Sequence, residues 1–242
     1  MNFVITLEKE RITSLKELGE KMYLYPDASE KLLTSSKFLK FLKENDEEKY
    51  VKLIELNHKE REHETFIFLA QYIFNPIMNI RHHGYEFNSY KELGEKILAF
   101  GPKIDVYLKD FLKFGLLTKY IKLMGRDIQD KEIYLKVVEL EKKFKINANY
   151  SYFLLGFTLS DCAIITYESK AYSDVNLFFQ EMIHDHCVAN YSSLISKNQY
   201  VLAWLTYLGY DKVVDKYQSI INSITKLEEN YANRTKNTKM EK

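Results

Sequence analysis

The sequence has few of the residues and segments that mark specialised classes of protein. Its 242 residues include two cysteines, three prolines and one tryptophan. Two cysteines do not make a disulfide framework in a chain of this length, so we expect Cys162 and Cys187 to be reduced and the protein to be cytoplasmic. The start of the chain has no basic segment followed by an apolar core, and it therefore does not resemble a signal peptide.

Long hydrophobic runs are also missing. The most apolar stretch covers residues 150–159. It is about half as long as the roughly 20 residues that cross a bilayer as a helix. We therefore expect a protein that works without a membrane.

The sequence lacks an excess of charge of either sign. It has 35 basic and 34 acidic residues, for a net charge of +1. Proteins dedicated to nucleic acids usually carry a clear positive excess and use arginine for phosphate and guanine. Here arginine occurs only at Arg11, Arg61, Arg81, Arg126 and Arg234. The balance argues against a dedicated DNA or RNA binder, and RNA binding through lysines and tyrosines is kept as an alternative.

Recognisable catalytic motifs are absent as well. The chain contains no G-x-S-x-G, no P-loop, no dinucleotide-binding glycine pattern and no H-E-x-x-H. Adjacent glutamates, such as those at positions 47 and 48, fit an exposed helix surface. We therefore expect no enzymatic activity and no cofactor.

What the sequence does contain is an internal repeat. Residues 14–22 and 89–97 are identical at seven of nine positions, at an offset of 75 residues. A third, diverged copy aligns without gaps at an offset of 84, where Ser173 falls on Ser89 and Gly209 falls on Gly125. Repeated segments of this size usually stack on their neighbours and decide the architecture.

Each of the first two copies begins with a helix-start signal. Ser14 and Ser89 stand three residues before Glu17 and Glu92. This S-x-x-E spacing predicts a capping box, in which the serine accepts from a first-turn N–H and the glutamate accepts from the N–H of the serine.

Both copies also carry a glycine within the predicted helix, Gly19 and Gly94. Glycine costs about 1 kcal/mol relative to alanine at such a position. Either a second backbone or a bulky ring lies close to it, or one copy inherited it from the other by duplication. The third copy has Phe178 at this position.

These patterns predict a mainly α fold with small β-hairpins (α+β), built from three tandem hairpin–helix–helix–helix units. The hairpins are expected at 3–13, 78–87 and 164–172. The units are expected at 1–63, which lacks the leading helix, 64–147 and 148–231, followed by a disordered polar tail at 232–242. No Gly/Ser/Pro-rich linker separates the units, which predicts one elongated or curved body.

The turn of the second hairpin is the first candidate site. Arg81, His82, His83 and Tyr85 surround the predicted turn at Gly84. Exposed turns often carry function, so these residues are interpreted as a partner-binding patch on a projecting turn. An ordinary exposed turn is the alternative. The charged stretch that contains His58, His63 and Glu64 is interpreted as a solvated helix face.

The second candidate is the cluster His184-Asp185-His186-Cys187. Imidazole and thiolate are zinc ligands, and a neighbouring carboxylate can orient a ring. Residues two apart on a helix point in different directions, however, and no second ligand pair follows. Metal binding through His184, His186 and Cys187, in a metal-assisted hydrolase, is therefore the alternative to solvated histidines at a helix end.

The hypothesis that best fits these features is a non-enzymatic repeat protein that binds another protein or a ribonucleoprotein. It would act as an adaptor, regulator or inhibitor of a larger intracellular partner. Small cytosolic inhibitors encoded by bacterial or phage mobile elements have this motif-free character.

Overall fold

The computed structural model describes residues 4–76, 79–185, 198–210 and 212 of the chain. It confirms the predicted fold class, a mainly helical protein with three antiparallel two-stranded hairpins spaced along the sequence. The hairpins pair Ile5–Leu7 (β1) with Glu10–Ile12 (β2), Ile80–His82 (β3) with Tyr85–Phe87 (β4), and Ile165–Tyr167 (β5) with Lys170–Tyr172 (β6).

Twelve α-helices lie within the described ranges. They are Leu15–Lys21 (α1), Pro26–Leu33 (α2), Ser36–Asn45 (α3), Glu47–Lys59 (α4), His63–Phe74 (α5), Tyr90–Ala99 (α6), Val106–Lys113 (α7), Leu116–Leu123 (α8), Lys131–Phe144 (α9), Ala148–Ser160 (α10), Val175–Asp185 (α11) and Gln199–Tyr207 (α12). A 3-10 turn, Met22–Leu24, follows α1. None of these helices is long and apolar enough to cross a bilayer. The predicted tail at 232–242 lies outside the described residues.

The three hairpins share one register. The last pair before the turn is Leu7 with Glu10 in the first hairpin, His82 with Tyr85 in the second and Tyr167 with Lys170 in the third. Two residues connect the strands each time, and in the second hairpin both have positive φ, 43° at His83 and 81° at Gly84. Such turns match the right-handed twist of paired strands. Leu7, His82 and Tyr167 therefore occupy one repeated position, and all three are buried.

The predicted caps form, with one difference. The Ser14 hydroxyl accepts from the Glu17 N–H at 3.1 Å, as expected. The Glu17 carboxylate accepts from the N–H of Thr13 at 2.7 Å, one residue before the serine, so the predicted acceptance from the N–H of Ser14 is wrong. The same arrangement recurs in Ser89, Glu92 and Asn88.

The described residues form two compact units, one within 1–93 and 105–146 and the other within 94–104 and 147–242. Helix α5 is the centre of the first unit. Nine of its twelve residues are buried, and it packs against α1, α2, α4 and α8. A helix that is apolar on all sides requires such a surrounding shell.

The second unit is organised around α10 in a similar way. Nine of its thirteen residues are buried, and α12 packs against it. Trp204 of α12 is fully buried, and its indole N–H donates to the carbonyl of Ala163 at 2.9 Å. Phe178, which replaces the repeated glycine, is enclosed by aromatic rings, including those of Tyr167, Tyr172 and Trp204.

The repeated glycine is a packing requirement in both units. A Cβ built on Gly19 would lie 2.7 Å from the carbonyl oxygen of Gln71 in α5. A Cβ on Gly94 would collide with the backbone N of Ser160 and lie 2.8 Å from the carbonyl oxygen of Gly156 in α10. Of the two sequence interpretations, the close approach of a second backbone is confirmed.

We expect Gly19→Ala to lower the free energy of unfolding by about 2 kcal/mol, because an overpacked contact against backbone cannot relax cheaply. At an exposed helix position the same substitution would raise the free energy of unfolding by about 1 kcal/mol. The direction of the change therefore distinguishes a closely packed glycine from an exposed one. Lys16→Ala, on the exposed face of α1, is the control and should have little effect. Urea unfolding measures both, and a stabilised Gly19→Ala protein would contradict the packing role.

Helices α5 and α10 each contain a buried hydroxyl, Thr65 Oγ1 and Ser151 Oγ, with no hydrogen-bond partner among the described residues. We expect Thr65→Val to raise the free energy of unfolding by about 1 kcal/mol, because it removes an unsatisfied polar atom at nearly constant volume. Thr118→Val is the matched control. The Thr118 hydroxyl donates to Glu141 Oε1 at 2.8 Å, so its loss should be destabilising in the same unfolding assay.

Candidate functional site

Four side chains with metal-ligating atoms converge in the first unit. Glu64, His82, His83 and Asp110 each offer one nitrogen or oxygen, and these atoms all lie within 4.8 Å of one another. Glu64 belongs to the first turn of α5, His82 ends β3, His83 begins the turn and Asp110 lies in α7. We call these four residues the histidine–carboxylate cluster.

Helix α5 holds the second hairpin in place through two polar side chains. The Gln71 side-chain amide donates to the carbonyl of Arg81 at 2.8 Å. The Tyr72 hydroxyl donates to the carbonyl of Asn79 at 3.0 Å and accepts from the N–H of Arg81 at 3.1 Å. The strand that carries His82 is therefore fixed to the helix that carries Glu64.

Helix α7 is tied to the same hairpin at its start. Asp105 caps the helix by accepting from the N–H groups of Tyr107 and Leu108. Its other carboxylate oxygen accepts from the Tyr85 hydroxyl at 2.6 Å. This hydrogen bond, with some burial, raises the pKa of Tyr85 to about 12. This hydrogen bond links Tyr85 of the hairpin to the start of α7, the helix that carries Asp110.

Within the cluster, each imidazole faces one carboxylate. His82 Nε2 lies 3.2 Å from Asp110 Oδ2, and His83 Nε2 lies 2.7 Å from Glu64 Oε2. The His82 and His83 rings meet edge to face at 4.4 Å between centroids. The His82 side chain is 4% exposed and that of Glu64 is 26% exposed, so the cluster extends from the core to the edge of the surface.

Burial and hydrogen bonding set the charges of the cluster. Desolvation lowers the pKa of His82, and this effect exceeds the opposing hydrogen bond to Asp110. The hydrogen bond to His83 lowers the pKa of Glu64. At neutral pH, His82 is therefore a neutral imidazole and Glu64 is a carboxylate, which are the protonation states in which these groups bind metals.

Aromatic rings enclose the two imidazoles. Phe68 and Phe111 meet the His82 ring edge to face at 5.8 and 5.5 Å, and Tyr107 stacks on His83 at 4.3 Å. Phe111 is buried in the core, whereas Tyr107 is half exposed. An apolar wall of this kind limits the access of water and strengthens polar contacts inside it.

The structure corrects the predicted exposure of the second hairpin. Arg81 and His82 are buried, so the interpretation of these residues as part of a projecting turn is wrong. The Arg81 guanidinium pairs with Glu86 at 2.8 Å and lies over the ring of Tyr23 at 5.5 Å. The other two residues, His83 and Tyr85, are partly buried. A partner-binding role for this group stays a prediction.

The stretch 57–64 was interpreted as a solvated helix face. This interpretation is correct for His58 and wrong for Glu64, the last residue of the stretch. His58 is exposed, whereas Glu64 turns toward His83. His63 Nδ1 pairs with Glu30 at 2.8 Å outside the cluster.

Asp110 is a residue of the site that was not predicted from the sequence. The repeat did contain a signal for its partner His82, because a histidine stands where the other two hairpins have a leucine and a tyrosine.

The second predicted cluster lies at the end of the described part of α11 and beyond it. His184 and Asp185 are the last residues of α11, and their side chains lie outside the described part of the structure. His186 and Cys187 lie outside the described residues altogether.

A second feature of the first unit is an open groove between α4, α5 and α8, which we call the lysine groove. Its volume is about 440 Å³. Its apolar floor consists of Leu56, Leu69, Ile73 and Leu123. Its charged rim consists of Lys52, Lys59, Lys119, Lys122, Glu55 and Glu60. Leu123, at the end of α8, is 49% exposed.

Comparison with family models, curated proteins and solved structures found no significant match. The chemistry of the cluster and of the groove is therefore argued from their own geometry.

We expect the His82–Asp110 pair to show strong coupling in a double-mutant cycle carried out in chelator-containing buffer. Asp110→Leu alone should lower the free energy of unfolding by about 2 kcal/mol, because it leaves a buried imidazole unpaired. Adding His82→Leu should restore more than half of that loss, since Leu7 occupies the equivalent position of the first hairpin. Additive losses in the double variant would show that the two side chains do not depend on each other.

Proposed function

We propose that this chain is a non-enzymatic, protein-binding repeat protein that acts as an adaptor, regulator or inhibitor of a larger intracellular partner. The lysine groove is the observation that carries the proposal. The occupant we assign to it is an acidic segment of the partner that presents apolar side chains on one face.

The charge of the groove supports an acidic occupant. Four lysines and two glutamates line it, in a protein whose overall charge is close to zero. Glu60 pairs with Lys119 at 2.6 Å, and Lys52 pairs with Glu48 outside the groove at 2.5 Å. The positive excess of the groove therefore comes from Lys59 and Lys122, against Glu55. A local positive potential attracts an acidic segment and speeds its association.

The floor of the groove supports a partner with apolar side chains. Leu123 is half exposed. Leu56 and Ile73 pack against the core of the unit and are only partly buried. A groove with an apolar floor and a charged rim has the composition of a site that binds one face of an amphipathic helix. Burial of the leucines would supply affinity, and the lysines would select for the acidic segment.

A photo-crosslinking residue placed at position 123 tests the proposal in the native cells. Position 135 is the matched control, because Leu135 is 53% exposed on α9 of the same unit and does not line the groove. We expect a discrete protein adduct, mapped by mass spectrometry to an acidic segment, from position 123 only. Equal adducts from both positions, or none from 123, would contradict the assignment.

Lys59→Glu tests the charge contribution, with Lys142→Glu as its control in the last turn of α9. The probes are two synthetic amphipathic peptides with the same apolar face and either glutamate or lysine flanks. Only the acidic peptide should bind, and Lys59→Glu should weaken it about tenfold, equivalent to about 1.4 kcal/mol. Equal affinity for both peptides would refute the proposal. Tighter binding of a generic RNA, with steep salt dependence, would replace it by the RNA alternative.

A further inference from the structure

We propose that the histidine–carboxylate cluster is a structural site for a divalent transition metal of the zinc class. The ligands are Glu64, His82, His83 and Asp110. This inference is independent of the lysine groove and goes beyond the proposed function, because it assigns a bound ion to a different part of the first unit.

The number and type of donors fit such an ion. Two imidazole nitrogens and two carboxylate oxygens make four protein ligands, which close a tetrahedral shell. Imidazole favours zinc and its transition-metal neighbours over magnesium and calcium, which prefer oxygen alone. No donor position is left for a reacting water, so the arrangement is that of a structural site.

The spacing of the donors also fits. Ligands about 2.0–2.1 Å from one ion in tetrahedral geometry lie about 3.3 Å from each other. The two measured imidazole–carboxylate distances are 2.7 and 3.2 Å, and the widest separation in the cluster is at most 4.8 Å. Binding therefore requires the widest donor pair to close by no more than about 1.5 Å and the His83–Glu64 pair to open by about 0.6 Å, which side-chain rotations can provide.

The charge of the cluster also favours a divalent cation. Two carboxylates that face two imidazoles carry a net charge of −2 when both rings are neutral, and one divalent cation cancels it. In the metal-bound form each ring keeps its proton on Nδ1 and offers the Nε2 lone pair, the atom that already faces the cluster. Enclosure by Phe68, Phe111 and Tyr107 would strengthen this attraction.

The repeat provides a comparison within the chain. The position of His82 is filled by Leu7 in the first hairpin and by Tyr167 in the third, and both are buried. The hairpin scaffold therefore does not require a histidine there. The second hairpin instead carries two adjacent histidines, and α5 and α7 each supply a carboxylate, so the ligand set is confined to one copy of the repeat.

Metal binding would join three elements that are otherwise far apart in sequence. Glu64 and Asp110 are separated by 46 residues and lie in different helices, with the hairpin between them. One ion bound to all four ligands would fix the start of α5, the turn of the second hairpin and α7 to one another. Because such binding occurs only in the folded chain, it would raise the free energy of unfolding with the logarithm of the metal concentration once that concentration exceeds Kd.

The test starts from the full chain, stripped with chelator and titrated with Zn²⁺ and Co²⁺. We expect one equivalent to bind and, at about a hundredfold excess over Kd, the melting temperature to rise by about 5 °C. His63→Leu is the matched control, since His63 also faces carboxylates, those of Glu30 and Asp27, but lies outside the cluster. It should bind like the wild type. Less than about a tenth of an equivalent bound to the wild-type chain would overturn the proposal.

The variants are chosen so that misfolding cannot mimic loss of binding. His82→Leu combined with Asp110→Leu replaces the buried pair by apolar side chains, and circular dichroism of the chelated protein verifies its fold. The folded double variant should bind no metal and show no rise in melting temperature. If it binds as the wild type does, or if His63→Leu abolishes binding, the ion lies elsewhere and the assignment is wrong.

Cobalt provides a readout that identifies the ligands directly. In the Co²⁺-loaded wild type we expect two paramagnetically shifted, solvent-exchangeable imidazole N–H signals, one from each histidine. His83→Gln should remove one of them and leave the other. Unchanged signals in this variant would rule out His83 as a ligand.

Discussion

The close contact of helix α5 with the backbone of α1 at Gly19 determines the geometry of the first unit. A methyl group there would lie 2.7 Å from the carbonyl oxygen of Gln71. Gln71 in turn donates to the carbonyl of Arg81, so the helix that fits against the glycine also carries the second hairpin. Because Glu64 lies in the first turn of the same helix, both halves of the histidine–carboxylate cluster depend on this contact. Leu69 and Ile73, which line the lysine groove, share that dependence.

The copies of the repeat share one hairpin backbone and differ in the side chains that it carries. All three hairpins keep the same register and bury the residue before the turn, and in both units a long apolar helix forms the centre. The second copy differs by placing a histidine at the repeated buried position. A buried imidazole needs a polar partner, and Asp110 of α7 provides it. The same hairpin backbone thus accommodates a leucine, a histidine or a tyrosine at this position.

Much of this fold follows from local signals in the sequence. The serine caps and the hairpin turns each depend on residues within a few positions of one another, so their physical reasons are visible in the chain itself. The repeated glycine is visible too, but the backbone that packs against it lies about 50 residues or more away in the sequence. The cluster is different, because His82 and Asp110 are 28 residues apart and belong to a hairpin and a helix that meet only through tertiary packing. The burial of Arg81 likewise depends on Tyr23, which comes from the preceding repeat. Sequence periodicity does not report such contacts between distant residues. Glu64 was interpreted as part of a solvated face because its neighbours in the sequence are charged.

X-ray absorption at the zinc edge, on protein isolated without chelator, shows which atoms surround a metal bound at the histidine–carboxylate cluster. We expect one zinc-class ion surrounded by two imidazoles and two carboxylate oxygens at about 2.0–2.2 Å, with no sulfur neighbour. A shell of water oxygens alone, or one that contains sulfur at about 2.3 Å, would contradict it, because the cluster contains no thiol.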